Sequence, residues 1–175
     1  LGTTEVTQGL WKRVMGSNAA EGRRVWDSDG DGKGDDQGEC GSFEGVSLVG
    51  DGLPVMCVSW CDAVVFANTL SQREGLTAAY QVPSGFGPGL GYEACGEKAA
   101  AVRVVAGANG YRLPTEGEWE YAARAGEHHR FPGAESDSSV CKVANVADST
   151  TKAKWPEWDT AACTDGVAGL ASVGR

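Results

Sequence analysis

The chain has 175 residues, 26 of them glycine, with a formal net charge of −9 and a pI near 4.7. This acidic balance argues against binding to nucleic acid or to an anionic membrane surface, because both require a basic face. The length predicts a single domain over residues 1–175, rich in loops and short elements, and the sequence shows neither a membrane-spanning apolar run nor a signal-peptide pattern.

The N-terminal part of the chain predicts one helix followed by a long hydrophilic loop. Thr7 is a suitable N-cap and Gly16 a suitable helix end, with Trp11 and Val14 on the apolar face between them. Residues 17–52 form the loop, interrupted only by short apolar pieces such as 24–26 and 46–49. Long ordered loops in compact domains usually have a functional reason, so we expect function there.

An acidic run in this loop, Asp27 to Asp36, follows a D-x-D-x-D-G pattern that matches the first half of an EF-hand-type calcium loop. The predicted ligands are Asp27, Asp29, Asp31, Lys33 through its backbone carbonyl, and Asp35. Gly38 occupies the position of the usual bidentate glutamate, and Glu39 comes one residue late. The alternative is a solvated acidic turn.

The central part of the chain predicts a strand, a helix and an insertion. The strand covers residues 55–58, and Ser59 with Asp62 forms a capping box that opens a helix ending at Gly75. Residues 80–110 then predict an inserted loop or hairpin with a glycine-rich turn.

The segment NGYRLPTEGEWEYAARAG at 109–126 predicts another short helix. Thr115 and Glu118 form its capping box, and Gly126 follows where a left-handed C-cap is favoured. Helical spacing predicts one buried face, comprising Trp119, Ala122 and Ala123.

Three segments, taken in order, resemble the family of formylglycine-generating enzymes, or sulfatase-modifying factors. They are TEVTQGLWKRVMG at 4–16, PVMCVSWCDAVVFANTLSQREGL at 54–76, and the segment at 109–126. The resemblance runs from about Thr4 to Gly174. It implies an α+β, loop-rich, C-type-lectin-like fold with short helices and strands, truncated before the C-terminal part of the family's domain.

A fourth family-like feature is the pair VCKVANVAD at 140–148 and CTDGVAGLASVG at 163–174. In the family, an Asn in the first segment and an Asp in the second, each with a nearby backbone carbonyl, bind a structural calcium ion. The matching positions are Asn145, Val146, Asp165 and Val167. Hard oxygen ligands on irregular loops suit calcium, and the alternative is that the Asn and Asp only stabilise turns.

The sequence has six cysteines with no C-x-x-C spacing, which disfavours a zinc ribbon or a thioredoxin-like site. Structural disulfides in an exported protein, whether periplasmic, cell-surface or secreted, are the favoured interpretation, and reduced buried thiols are the alternative. Cys141 and Cys163 flank the two calcium segments and are predicted to pair. We expect Cys57, Cys61 or both to pair with Cys40 or Cys95.

The resemblance also implies chemistry that the sequence lacks. Active family members are copper-dependent oxidases whose reactive cysteine pair follows a Gly-Asn-Val-Trp-Glu-Trp type of segment, and no such segment occurs here. No catalytic residue is therefore assigned, and copper is expected only if a C-terminal catalytic half exists.

Two functions are consistent with these observations. The first is a calcium-stabilised, noncatalytic module that binds a peptide or protein partner or is processed by a protease. The second is the N-terminal portion of an oxidase that converts a substrate cysteine to formylglycine. The terminal Arg175 is what an Arg-specific protease would leave, which predicts an associated C-terminal fragment; the alternative is an end that was chosen for cloning or set by crystal order.

Overall fold

The computed structural model describes residues 1–21, 23–26 and 36–175. The chain divides into two compact units. The N-terminal unit comprises residues 5–113, and the C-terminal unit comprises residues 1–4 and 114–175. Short helices, two-stranded sheets and many loops make this an α+β fold, as predicted.

The helices of the N-terminal unit begin where the sequence predicts helix starts. Helix α1 spans Gln8–Met15, and the Thr7 side chain accepts a hydrogen bond from the backbone N–H of Leu10. Helix α2 spans Trp60–Arg73 and opens with the complete capping box of Ser59 and Asp62. A third helix, α3 at Tyr92–Ala99, lies inside the segment predicted as a loop or hairpin.

The strands of the described residues form three separate antiparallel pairs, all in the N-terminal unit. They are β1 (Arg23–Trp26) with β2 (Asp36–Glu39), β3 (Ser42–Phe43) with β4 (Val46–Ser47), and β5 (Tyr80–Gln81) with β6 (Arg103–Val104). The predicted strand at 55–58 is wrong. Cys57 has a φ of 58°, which breaks the extended backbone, and Pro54 makes only an isolated bridge with Thr7.

Helix α2 supplies apolar side chains to two core clusters of the N-terminal unit. On one side Phe66 stacks on Trp11 of α1, with the ring centroids 4.8 Å apart. On the other side Val64 packs with Ala79 and Tyr80. Both clusters therefore depend on the helix that the Ser59 and Asp62 capping box begins.

The C-terminal unit contains helix α4 at Glu116–Arg124 and helix α5 at Ser149–Lys154. The capping box of α4 is present, but the predicted buried face is wrong. No α4 residue is buried, and Trp119 is 61% exposed. The helical spacing of the apolar residues predicted the helix correctly. Burial also requires other residues to pack over this face, and among the described residues none covers it.

All six cysteines form disulfides: Cys40 with Cys57, Cys61 with Cys95, and Cys141 with Cys163. The predicted pairing of Cys141 with Cys163 is confirmed, as is the pairing of Cys57 and Cys61 with Cys40 and Cys95. Three disulfides indicate an oxidising, exported environment. Among the residues that the structure describes, no helix has the length and hydrophobicity to cross a membrane.

Candidate metal centre

The candidate site is built from two irregular segments of the C-terminal unit, residues 141–151 and 161–170. The Cys141–Cys163 disulfide joins their ends, with the two Cα atoms 5.9 Å apart. Backbone hydrogen bonds continue the pairing, from Ser149 N–H to Cys163 O at 3.1 Å and from Ala161 N–H to Ala147 O at 2.8 Å. The segments are thus held side by side without forming a regular sheet.

Asp165 is the centre of this arrangement. Its Oδ2 accepts a hydrogen bond of 2.9 Å from the backbone N–H of Val146, and its Oδ1 accepts one of 2.8 Å from the N–H of Val167. Asn145, the neighbour of Val146 in the chain, donates through Nδ2 to the carbonyl oxygen of Gly169 in the other segment at 2.6 Å. The structure therefore brings three of the four predicted residues into contact, namely Asp165, Val146 and Val167, and Asn145 adjoins Val146 in the chain.

The donor atoms of this group fit a hard cation. Asp165 is half-buried and each of its oxygens keeps a lone pair beyond the N–H it accepts, while Asn145 is exposed and its Oδ1 is not the atom bonded to Gly169. Backbone carbonyls of Val146 and Val167 are the other ligands expected. Carboxylate, amide and carbonyl oxygens are the ligands that calcium prefers.

A softer metal does not fit the same place. The Cys141 sulfur and carboxylate oxygens of Asp148 and Asp165 all lie within 4.8 Å of one another. The sulfur is committed to the disulfide, so it is not a thiolate and cannot act as the soft ligand that zinc or copper(I) favours. Only oxygen ligands remain in this group.

Asp148 is a residue of this site that the sequence analysis did not single out. Its side chain is fully buried and its carboxylate caps helix α5. Burial opposes the charged form, yet hydrogen bonds from the N–H groups of Thr151, Asp165 and Thr150 outweigh it and lower the pKa of Asp148 to about 2. The run Asp-Ser-Thr-Thr carries the signal of an N-cap, which could have revealed it.

The acidic residues at Asp27, Asp29, Asp31, Lys33 and Asp35 lie outside the described residues. Their neighbours are described: β1 and β2 pair in antiparallel fashion, with Trp26 opposite Asp36. In sequence the run thus lies between two paired strands, whereas an EF-hand loop lies between helices. The calcium prediction for this run stays a prediction.

The fold and the paired loops define a domain of the formylglycine-generating-enzyme type. The chain belongs to the family described as the sulfatase-modifying factor enzyme 1-like domain, whose model matches residues 1–174. This confirms the resemblance found in the sequence motifs.

Three relatives illustrate the similarity. The chaperone protein LppX of Paenibacillus barcinonensis is 31% identical over 127 residues, which cover 73% of this chain and 36% of LppX. The solved structure of Treponema denticola variable protein 1 has a TM-score of 0.54 and 26% identity, covering 78% of this chain and 45% of that one. CarF has a TM-score of 0.48 and 27% identity, covering 78% of this chain and 51% of its own. The chain thus spans about half or less of each relative's length.

Proposed function

We propose that this domain is a calcium-stabilised module on the formylglycine-generating-enzyme scaffold that binds a protein partner and carries out no chemistry of its own. The observation that supports the calcium site is the hydrogen bonding of the Asp165 carboxylate. It accepts the backbone N–H of Val146 from one loop and that of Val167 from the other. A cation bound there would neutralise the carboxylate and draw the carbonyls of both loops towards one point. Calcium would therefore stabilise the C-terminal unit.

Isothermal titration of the chelator-treated chain with calcium chloride tests this site. Asp165→Ala is expected to remove one binding site, because it deletes the only carboxylate among the four predicted ligands. Asp159→Ala is the matched control, since Asp159 is an exposed aspartate of the same unit. An Asp165→Ala variant that keeps every site would contradict the proposal.

We propose a second calcium site in the acidic run that includes Asp29 and Asp31. Five carboxylates within ten residues, Asp27 to Asp36, repel one another unless a cation is present. Asp29→Ala combined with Asp31→Ala is expected to remove one site and to leave the Asp165 site intact. An undiminished number of sites would count against this second proposal.

The partner we propose is a polypeptide segment with apolar side chains. Trp119 and Tyr121 project from different sides of α4 and are 61% and 76% exposed, and aromatic residues are enriched in protein interfaces. Glu120 and Arg124 line an open depression of about 440 Å³ beside Tyr121. LppX, a relative, is named a chaperone protein, which favours a partner of this kind.

Light scattering of denatured citrate synthase, diluted into buffer with the chain, tests this partner class. We expect the chain to suppress scattering and Trp119→Ala with Tyr121→Ala to suppress it less. Trp60→Ala is the control, because Trp60 is an aromatic residue of α2 with 44% exposure. Equal suppression by the double variant and by the control would refute α4 as the element that binds the partner.

The alternative function is the N-terminal portion of a copper-dependent oxidase, and membership of the enzyme family favours it. The thiols for such chemistry would have to come from outside this chain, because all six of its cysteines are in disulfides. Sequencing the gene beyond the codon for Arg175 distinguishes the two. A cysteine pair after a Gly-Asn-Val-Trp-Glu-Trp type of segment would favour the oxidase.

A further inference from the structure

Asp148 connects helix α5 to the proposed calcium site through a single buried carboxylate. Its Oδ1 accepts the backbone N–H groups of Thr150 at 2.8 Å and Thr151 at 2.9 Å, which caps the helix. Its Oδ2 accepts the N–H of Asp165 at 2.6 Å and the Thr150 hydroxyl at 3.3 Å. Oδ1 therefore bonds only to the helix, whereas Oδ2 joins the helix to the site.

The bond to Asp165 fixes the backbone from which the predicted ligand projects. Because the Asp165 side chain is itself held by the N–H groups of Val146 and Val167, both ends of this residue are fixed. A ligand held in this way loses little freedom when a cation binds, which favours affinity.

Asp148 is not itself suited to bind the cation. Four donors occupy its carboxylate, which is about as many as the lone pairs of two oxygens accept, and the side chain is fully buried. Its charge nevertheless acts at the site, because carboxylate oxygens of Asp148 and Asp165 lie within 4.8 Å of each other.

We propose that Asp148 is a positioning residue of the calcium site: it holds Asp165 in the ligand orientation and adds a second negative charge beside it. The inference rests on the proposed calcium site at Asp165. It assigns to Asp148 a role in metal affinity that is separate from its role as a helix cap.

Asp148→Asn separates the two roles. The amide oxygen can keep both hydrogen bonds of the α5 cap, while the NH2 group then faces the N–H of Asp165, so that two donors meet. The opposite orientation of the amide would place the NH2 group against the N–H groups of Thr150 and Thr151. It would therefore lose two hydrogen bonds of the cap instead of the one to Asp165. Since the loss of an outer-shell partner of a metal ligand usually weakens metal binding about 10–100-fold, we expect a loss of calcium affinity in that range.

Calcium titration and thermal melting of the full chain test the inference together. Thr115→Ala is the matched control because it removes the cap of α4, a helix in the same unit. We expect this control to lower the melting temperature and leave calcium affinity at the Asp165 site unchanged. Asp148→Ser is a second variant that keeps a capping oxygen at the N-cap but cannot reach Asp165, and it should match Asp148→Asn in affinity.

The outcomes are distinguishable. If the wild-type chain loses a calcium site on Asp165→Ala but Asp148→Asn and Asp148→Ser bind calcium as the wild type does, the inference is overturned while the calcium site stands. If Asp165→Ala changes nothing, the calcium site fails and the inference fails with it. Variants that stay unfolded at saturating calcium would also count against it, because a positioning role predicts that calcium restores their fold.

Discussion

Gly110 shows how one atom can control the packing of a loop against a helix. A Cβ on this residue would meet the carbonyl oxygen of Thr77 and lie 2.5 Å from the Ser71 hydroxyl. That hydroxyl is buried, donates to Ala67 O at 2.7 Å and accepts the N–H of Tyr111 at 2.8 Å. Space for the side chain could come only by breaking this buried network.

We therefore expect Gly110→Ala to lower the free energy of unfolding by about 1–3 kcal/mol, as overpacked sites do. Urea denaturation measures this change. Gly96→Ala is the control, since Gly96 lies within α3 and a Cβ there would meet nothing within 4 Å. This control should gain roughly 0.5–1 kcal/mol from helix propensity, and equal effects of the two variants would contradict the packing argument.

The lowered pKa of Asp148 predicts that the stability of the calcium-free chain depends on pH. The pKa of Asp148 is lowered from 3.8 to about 2 in the folded state. A lowered pKa means that the stability it contributes is complete above the unfolded value and is lost as the pH falls towards 2. We expect the difference in unfolding free energy between the wild type and Asp148→Asn to narrow from pH 4 to pH 2. A difference that stays constant over this range would contradict the assignment.

At the scale of elements, the same capping box has two different environments. In α2, Asp62 is buried, and its carboxylate accepts hydrogen bonds from the backbone N–H groups of Ser59 and Gly89 and from the Ser59 hydroxyl. In α4, Glu118 is exposed and accepts the N–H of Thr115 at 2.9 Å. The sequence motif is shared, but only α2 uses it inside a core.

Asp62→Ala is therefore expected to cost more stability than Glu118→Ala. The exposed cap should be worth about 1 kcal/mol, whereas Asp62→Ala also removes the acceptor of the Gly89 N–H, a part-buried hydrogen bond worth roughly 0.5–1.5 kcal/mol more. Chemical denaturation followed by circular dichroism compares the two variants. Equal losses would show that burial of the capping residue does not matter here.

Local signals explain which elements could be predicted. At Thr7, Ser59 and Thr115 the capping hydrogen bond joins residues three positions apart, so the helices that follow can be predicted from the local sequence. The N-cap of helix α3 is Gly91, which has no side chain to cap the helix and so leaves no such signal. Burial was harder to predict than helix formation, because the exposure of Trp119 depends on packing with residues distant in sequence.

At the scale of the whole molecule, the candidate site was predicted by family resemblance more than by local pattern. Nothing in the spacing of Asn145 and Asp165 alone brings them together; the Cys141–Cys163 disulfide and the backbone pairing between their segments do so. Asp148 was missed for the same reason, since its contact with the Asp165 backbone joins residues 17 positions apart. Long-range contacts of irregular loops have no periodic signal.

The disulfides allow stability and calcium binding to be separated in the whole chain. Cys141–Cys163 encloses the candidate site, whereas Cys61–Cys95 lies in the N-terminal unit. Replacing either pair with alanine should cost about 2–4 kcal/mol, because both remove a constraint on the unfolded chain. Both variants are therefore expected to melt at a lower temperature than the wild type.

Only the loss of Cys141–Cys163 should also weaken calcium binding, because its two loops would no longer be held side by side before the ion arrives. In the wild type, calcium at a hundred times its Kd should add roughly 2.7 kcal/mol of stability, and the Cys61–Cys95 variant should gain a similar amount. The Cys141–Cys163 variant should gain less at the same calcium concentration. Thermal melting with and without calcium measures these gains, and an undiminished gain in that variant would mean that the loops are organised without the disulfide.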